Sequence, residues 1–354
     1  MEAEGRVVVS SASRIATLDL LRFLAALSVV FYHYIARPEA QAFQSFAPAA
    51  QFGYLGVPVF FMISGYVISL SAENRTAYEF AVSRFVRLYP ALWFGVIFTS
   101  LVLYMINGEE LNITKMFANM TLLNDYLGIA NVDGVYWTLQ AELKFYGCVF
   151  ILVALGLFPY YKAWLTIWLA LTVLYILFQQ PSIMGWFISP GYSPFFIAGV
   201  TFYLIQKKGF DAYNTFILLV SSALCAYHTN MQAPGFIKGI SSEEQLVASL
   251  IVLASMLVFI SISRGWLSLQ GSTLTYSIGA LTYPLYLLHN SAGKAIIDSG
   301  LTVYLSEGLL IVLVTVLMLV ASYWVFRFIE KPLARILRSV LMPKAIFGEG
   351  RVGS

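Results

Sequence analysis

The stretch LDLLRFLAALSVVFYHY, Leu18 to Tyr34, decides the fold class. It opens an apolar run of the length a bilayer-crossing helix needs, about 20 residues. Yet it carries Asp19 and Arg22 near one end and His33 near the other. Ionisable groups at membrane depth cost several kcal/mol unless they face a cavity or a partner, so each is a functional candidate. Arg22 and His33 are eleven residues apart, about three helical turns, and therefore share one helix face. At 1.5 Å per residue they are separated by about 16 Å along the axis. A cation and an imidazole on one stripe suit an elongated ligand.

Composition agrees with that reading along the whole chain. Apolar residues make up 59% and charged residues 11%, with a mean hydropathy of +0.78, against about 25% charged in soluble proteins. The chain is predicted to be all-α, a polytopic membrane helix bundle. The net charge of +3 is too small to argue for nucleic acid as a partner. Cys148 and Cys225 both fall in apolar runs, which makes them buried thiols, and no metal-ligand spacing is present. The first apolar run is too long and too charged for a cleaved signal peptide and is expected to be retained.

Apolar windows place about ten transmembrane helices, near 17–36, 54–72, 88–106, 135–157, 163–180, 191–206, 213–229, 246–263, 276–297 and 302–327. The segment 182–190, with Trp186 and Phe187, is expected to be an interfacial connection. Fifteen lysines and arginines then fall on one side of the membrane, while Arg37, Lys115, Lys238 and Lys294 fall on the other. By the positive-inside rule both termini are cytoplasmic. The expected division is residues 1–16 as a cytoplasmic segment, 17–330 as the transmembrane domain, and 331–354 as a basic cytoplasmic tail held by anionic lipid.

Several polar groups sit within or beside these spans. Ser64 follows Phe60-Phe61-Met62-Ile63 and precedes Gly65, so it is either a hydrogen-bond donor in a site or a small residue at a helix crossing. Arg84 and Arg87 share a helix face; taken alone they are ordinary topology charges. Thr138 and Glu142 lie on the fourth span, and Glu142 comes to about the depth of His33. A carboxylate beside an imidazole would stabilise and orient its cation. The long outer loop 107–134 has a partly apolar middle, Met116 to Leu123, suited to the interface. His228 is expected to be interfacial, and His289, in Tyr286-Leu287-Leu288-His289, is either a satisfied core residue or a second site group.

Taken in order, these segments resemble the integral-membrane acyltransferases of the acyltransferase-3 family, many of which O-acetylate bacterial surface polysaccharides. The Arg-x10-His motif of that family matches Arg22 and His33, and its Phe-Phe-x-x-Ser-Gly motif matches Phe60, Phe61, Ser64 and Gly65. Its Arg-x-x-Arg motif matches Arg84 and Arg87. Its Ser-x-x-x-Glu motif is present as Thr138 to Glu142, with threonine in place of serine. The runs ending at His289 and at Glu330-Lys331-Pro332 are similar to its C-terminal pattern. No esterase-like domain follows, which implies the stand-alone form.

The resemblance implies an acyl-CoA-dependent O-acyltransferase of the bacterial cytoplasmic (inner) membrane. Acyl-CoA, most often acetyl-CoA, is the co-substrate, and no cofactor is bound permanently. The acceptor is a hydroxyl of a glycan, an exopolysaccharide or its lipid-linked precursor. His33 and Glu142 are the catalytic candidates, with His33 as general base or acyl carrier. Arg22, Arg84 and Arg87 would hold the donor phosphates, since guanidinium groups suit bidentate phosphate contact. Ser64 and Thr138 would bind the oxyanion or the acceptor, and Asp19 and His289 are further candidates. The alternative is a proton-coupled transporter using Arg22, His33 and Glu142; matching discontinuous helices would favour it. A catalytically silent receptor is a third reading, which the retained buried charges oppose.

Overall fold

The computed structural model describes residues 11–37, 40–178 and 189–342, the first five by backbone alone. Trp186 and Phe187, and the terminal charges Arg6, Lys344 and Arg351, lie outside the described residues. Every described regular element is helical. Seven helical stretches are long and apolar enough to cross a membrane: Ala16–Ile35, Ala47–Ala72, Ala77–Asn107, Tyr136–Ala154, Tyr161–Phe178, Ser242–Arg264 and Glu307–Leu341. The other predicted spans are also helical but fall short of this. Ser193–Lys208 and Thr273–Leu288 have 16 residues each, about 24 Å against a hydrocarbon core of about 30 Å. Ala212–Phe236 is long but carries Asn214, Ser221, His228, Thr229 and Gln232.

Local sequence explains the helix ends. Ala77–Asn107 starts at a capping box in which Thr76 and Glu79 satisfy each other's backbone N–H groups, and it ends at Gly108 in the left-handed region. Ser242–Arg264 has the same start in Ser241 and Glu244, and the same stop in Gly265. The predicted span 276–297 is two helices, Thr273–Leu288 and Ser291–Ile297, broken at His289 and Asn290.

The chain divides into two regions. The first comprises the described residues 11–32, 48–70, 162–178 and 189–282. Its helices approach so closely that glycine is required at the crossings. A Cβ on Gly65 would lie 2.3 Å from the Phe196 carbonyl oxygen, and one on Gly199 would lie 2.1 Å from the Met62 carbonyl oxygen. Gly53 meets the Ser28 carbonyl in the same way, at 2.0 Å. Backbone contact of this kind is how helices associate where lipid removes the hydrophobic drive. Aromatic pairs fill the remaining space, with Phe202 stacked on Phe259 and Tyr54 on Phe236.

The second region comprises the described residues 33–37, 40–47, 71–161 and 283–342, and its central element is Ala77–Asn107. That helix packs against Tyr136–Ala154, Ile113–Thr121, Ser291–Ile297 and Lys331–Leu341. Val102, Leu103, Ala292 and Ala295 form an apolar cluster there, covered by Phe98 and Ile296. The outer loop is folded by side-chain amides. Buried Asn119 donates to the Ala130 carbonyl at 3.1 Å and accepts from the Val132 N–H at 2.9 Å. Gln140 donates to Asn124 at 2.9 Å. Phe117, Leu123 and Leu127 remain exposed on this loop.

Candidate functional site

His33 lies in the last turn of the first helix and His289 at the break after Thr273–Leu288. The two imidazoles meet, His33 Nδ1 to His289 Nε2, at 3.0 Å. His289 is fully buried. Its Nδ1 lies 3.1 Å from the Leu285 carbonyl oxygen and 3.0 Å from that of Tyr286. Those carbonyls belong to the last helical turn, and that of Leu285 also accepts the His289 N–H at 3.1 Å. The Tyr34 hydroxyl donates to the His289 carbonyl at 2.6 Å. Gly293 lies so close to that hydroxyl that a Cβ there would be 1.9 Å from it. The ring of Tyr286 packs 5.7 Å from that of His289, centre to centre.

The break itself is held by Asp133, a fully buried carboxylate. It accepts from Asn290 Nδ2 at 2.6 Å, from the Ser291 N–H at 2.8 Å and from the Val135 N–H at 3.1 Å. Three such bonds compensate the cost of burying the charge. Asp133 is also within electrostatic reach of His289. Sequence reading passed over it, because one acidic residue in an acidic outer loop carries no local signal.

The arginines and Glu142 form a second cluster in the same region. Arg84 donates to the Ser83 and Ser71 hydroxyls, each at 3.2 Å, and lies over the Tyr146 ring at 5.9 Å. Arg87 pairs with Glu330 and lies over the Tyr283 ring at 5.3 Å. Glu330 is buried, and its second carboxylate oxygen has no hydrogen-bond partner among the described residues. The Tyr146 hydroxyl donates to Glu142 at 2.6 Å, and Glu142 is within electrostatic reach of both guanidiniums. Glu330, which the sequence offered only as part of a C-terminal pattern, is thus the ion-pair partner of Arg87.

Thr138 is buried, and its hydroxyl lies 2.9 Å from the Val135 carbonyl and 2.8 Å from the Tyr286 hydroxyl. The carbonyl can only accept, so Thr138 donates to it and Tyr286 donates to Thr138. The first region holds the remaining candidates. Arg22 pairs with Asp19 at 3.0 Å, and the Gly279 backbone lies against that carboxylate. Ser64 is buried beside the Gly65 crossing. His228 is not a solvated histidine: it is 9% exposed, and its Nε2 lacks a hydrogen-bond partner among the described residues. Its helix continues to Phe236, past the predicted end at 229, which leaves His228 well inside it.

Residues 15–327 match the acyltransferase-domain family known as acyltransferase-3. Nodulation protein 10 of Rhizobium leguminosarum bv. viciae is 28% identical over 156 residues, covering 36% of this chain and 41% of the relative. ORF330 of Acidianus two-tailed virus, provisionally named an acetyltransferase, is 28% identical over 123 residues, covering 34% of this chain and 36% of the relative. The chain therefore spans well under half the length of these two relatives. No solved structure matches it. With a family match over most of its length and seven apolar helices able to span a bilayer, the chain is a membrane protein that belongs to the acyltransferase-3 family.

Proposed function

We propose that this protein transfers an acyl group, acetyl in the first instance, from cytoplasmic acyl-CoA to a hydroxyl of a cell-surface polysaccharide or its lipid-linked precursor. In this reading it crosses the bacterial inner membrane about ten times, and both termini are cytoplasmic. The observation that carries it is the meeting of His33 with His289, in the same region that gathers Arg84, Arg87 and Glu142. An imidazole held by hydrogen bonds is the group that removes a hydroxyl proton as that oxygen attacks a thioester, or that takes the acyl group itself.

Arg84 is the stronger phosphate ligand of the two arginines. Its described partners are two hydroxyls and a ring, so its charge remains available to an anion. Arg87 shares its charge with Glu330 and orients rather than dominates the donor end. Glu142, tied to Tyr146, sets the field between the arginines. Arg22 is assigned to the donor because it shares a helix face with His33. Ser64 and Thr138 are assigned to acceptor or oxyanion contacts.

The test is to incubate the purified protein with labelled acetyl-CoA and membrane glycan extracts. Label should pass to glycan with release of free CoA in the wild type. His33→Ala should abolish transfer while retaining donor binding, and Arg84→Ala should weaken donor binding. Transfer that persists undiminished in His33→Ala sinks the assignment. Label that never leaves CoA with any glycan extract sinks the acceptor class.

A further inference from the structure

We infer that His289 is a positioning residue that fixes the proton on His33, leaving the Nε2 of His33 as its basic nitrogen. The chemical consequence rests on the function proposed above; the proton placement rests on geometry alone. Protonation is set at the helix break. Carbonyl oxygens only accept hydrogen bonds. His289 Nδ1 faces two of them, Leu285 and Tyr286, at 3.1 and 3.0 Å, so Nδ1 must carry the proton. A neutral imidazole has one donor and one acceptor nitrogen, so His289 Nε2 is the acceptor. His33 Nδ1 lies 3.0 Å from it and must therefore be the donor. With its proton on Nδ1, neutral His33 carries its lone pair on Nε2.

Both chemistries open to His33 need that lone pair. A general base takes the hydroxyl proton on it, and a nucleophile takes the acyl carbon on it. When Nε2 is protonated, the Nδ1–H bond to His289 becomes charge-assisted and stronger. His289 thus does for His33 what an orienting partner does for a triad histidine, with a neutral ring in place of a carboxylate. The surrounding protein keeps His289 in place, because its ring is fully buried and its backbone carbonyl is tied to Tyr34.

The chain has three histidines, so ¹⁵N labelling of histidine rings in the detergent-solubilised protein gives few signals. His228→Gln identifies the signals of the third histidine and His289→Leu those of His289, which leaves those of His33. In the wild type His33 should show a protonated Nδ1 and an unprotonated Nε2. His289→Leu, and His289→Asn, which is too short to reach His33, should move the proton to Nε2, the site isolated imidazoles prefer. His289→Gln places a carbonyl oxygen within comparable reach and should keep the proton on Nδ1. The acyl-transfer rate should fall about 10²–10⁴-fold in His289→Leu and recover at least in part in His289→Gln, matching the cost of a histidine held in the wrong tautomer. A wild-type His33 with its proton on Nε2, or a proton that stays on Nδ1 in His289→Leu and His289→Asn, overturns the inference. A wild type that transfers no acyl group sinks the proposed function, while the nitrogen signals still decide the role of His289.

Discussion

The two regions of this chain solve the problem of a membrane interior in opposite ways. The first brings backbones together: Gly65 against Phe196, Gly199 against Met62, Gly53 against Ser28. The second brings charges together: Arg87 with Glu330, Tyr146 with Glu142, Asp133 with Asn290 and the Ser291 N–H. Close glycine crossings are rigid and chemically silent. Buried charges cost free energy unless each finds a partner, and they repay it only if the arrangement does something. Substitutions at the glycine crossings of the first region should therefore change how much protein folds, and those at the buried charges of the second should change what the folded protein does.

The largest effect is expected at His33. His33→Ala should lower the acyl-transfer rate by about 10²–10⁴-fold, the usual contribution of a positioned acid–base group. Its thermal unfolding midpoint in detergent should stay close to that of the wild type. A rate within a few-fold of wild type would remove chemistry from the second region and collapse the contrast.

Next comes Gly65→Ala. The new methyl would lie 2.3 Å from the Phe196 carbonyl oxygen and 3.0 Å from the Gly199 Cα, and both obstacles are backbone. Forcing the helices apart should cost about 2–3 kcal/mol, visible as a lower unfolding midpoint, while the rate per folded molecule changes less than twofold. A rate that collapses with unaltered stability would place the crossing in the chemistry.

Glu330→Gln tests the reverse case, a charge whose loss is felt in both stability and ligand binding. Arg87 keeps its desolvation without its partner, which should cost about 1–2 kcal/mol, because its side chain is partly exposed. The double variant Arg87→Met/Glu330→Leu should regain most of that stability, since removing both partners leaves no orphaned charge. If the separate effects of Arg87→Met and Glu330→Leu simply add up to that of the double variant, the pair is not coupled.

The helices were legible because apolar runs are a direct readout of membrane depth, and all ten predicted segments are helical. Ala77–Asn107 starts eleven residues before its predicted span, because its first turns are polar; the Thr76–Glu79 capping box was the overlooked signal. The break after Leu288 was not legible, since what holds it is Asp133, 157 residues away from Asn290. The site was half legible. Arg22, His33, Arg84, Arg87 and Glu142 stood out as charges in or beside apolar runs. Helix depth gives no azimuth, so it named neither His289 as the partner of His33, 256 residues away, nor Glu330 as that of Arg87.

The smallest expected effect concerns Thr138, buried on the helix Tyr136–Ala154. Its hydroxyl donates to the Val135 carbonyl and accepts from Tyr286. Serine supplies the same donor and acceptor, so Thr138→Ser should change stability by less than about 0.5 kcal/mol. Thr138→Val keeps the shape but removes both roles. Tyr286 then loses its 2.8 Å hydroxyl partner and keeps the Val135 carbonyl at 3.4 Å, for a cost of about 1 kcal/mol. Tyr286 also supplies one of the two carbonyls that hold His289, so the loosened ring should reach the chemistry as a modest fall in rate. The pair separates two uses of one hydroxyl: equal rates for serine and valine would leave Thr138 a packing residue, whereas a fall confined to valine would tie it to the histidine pair.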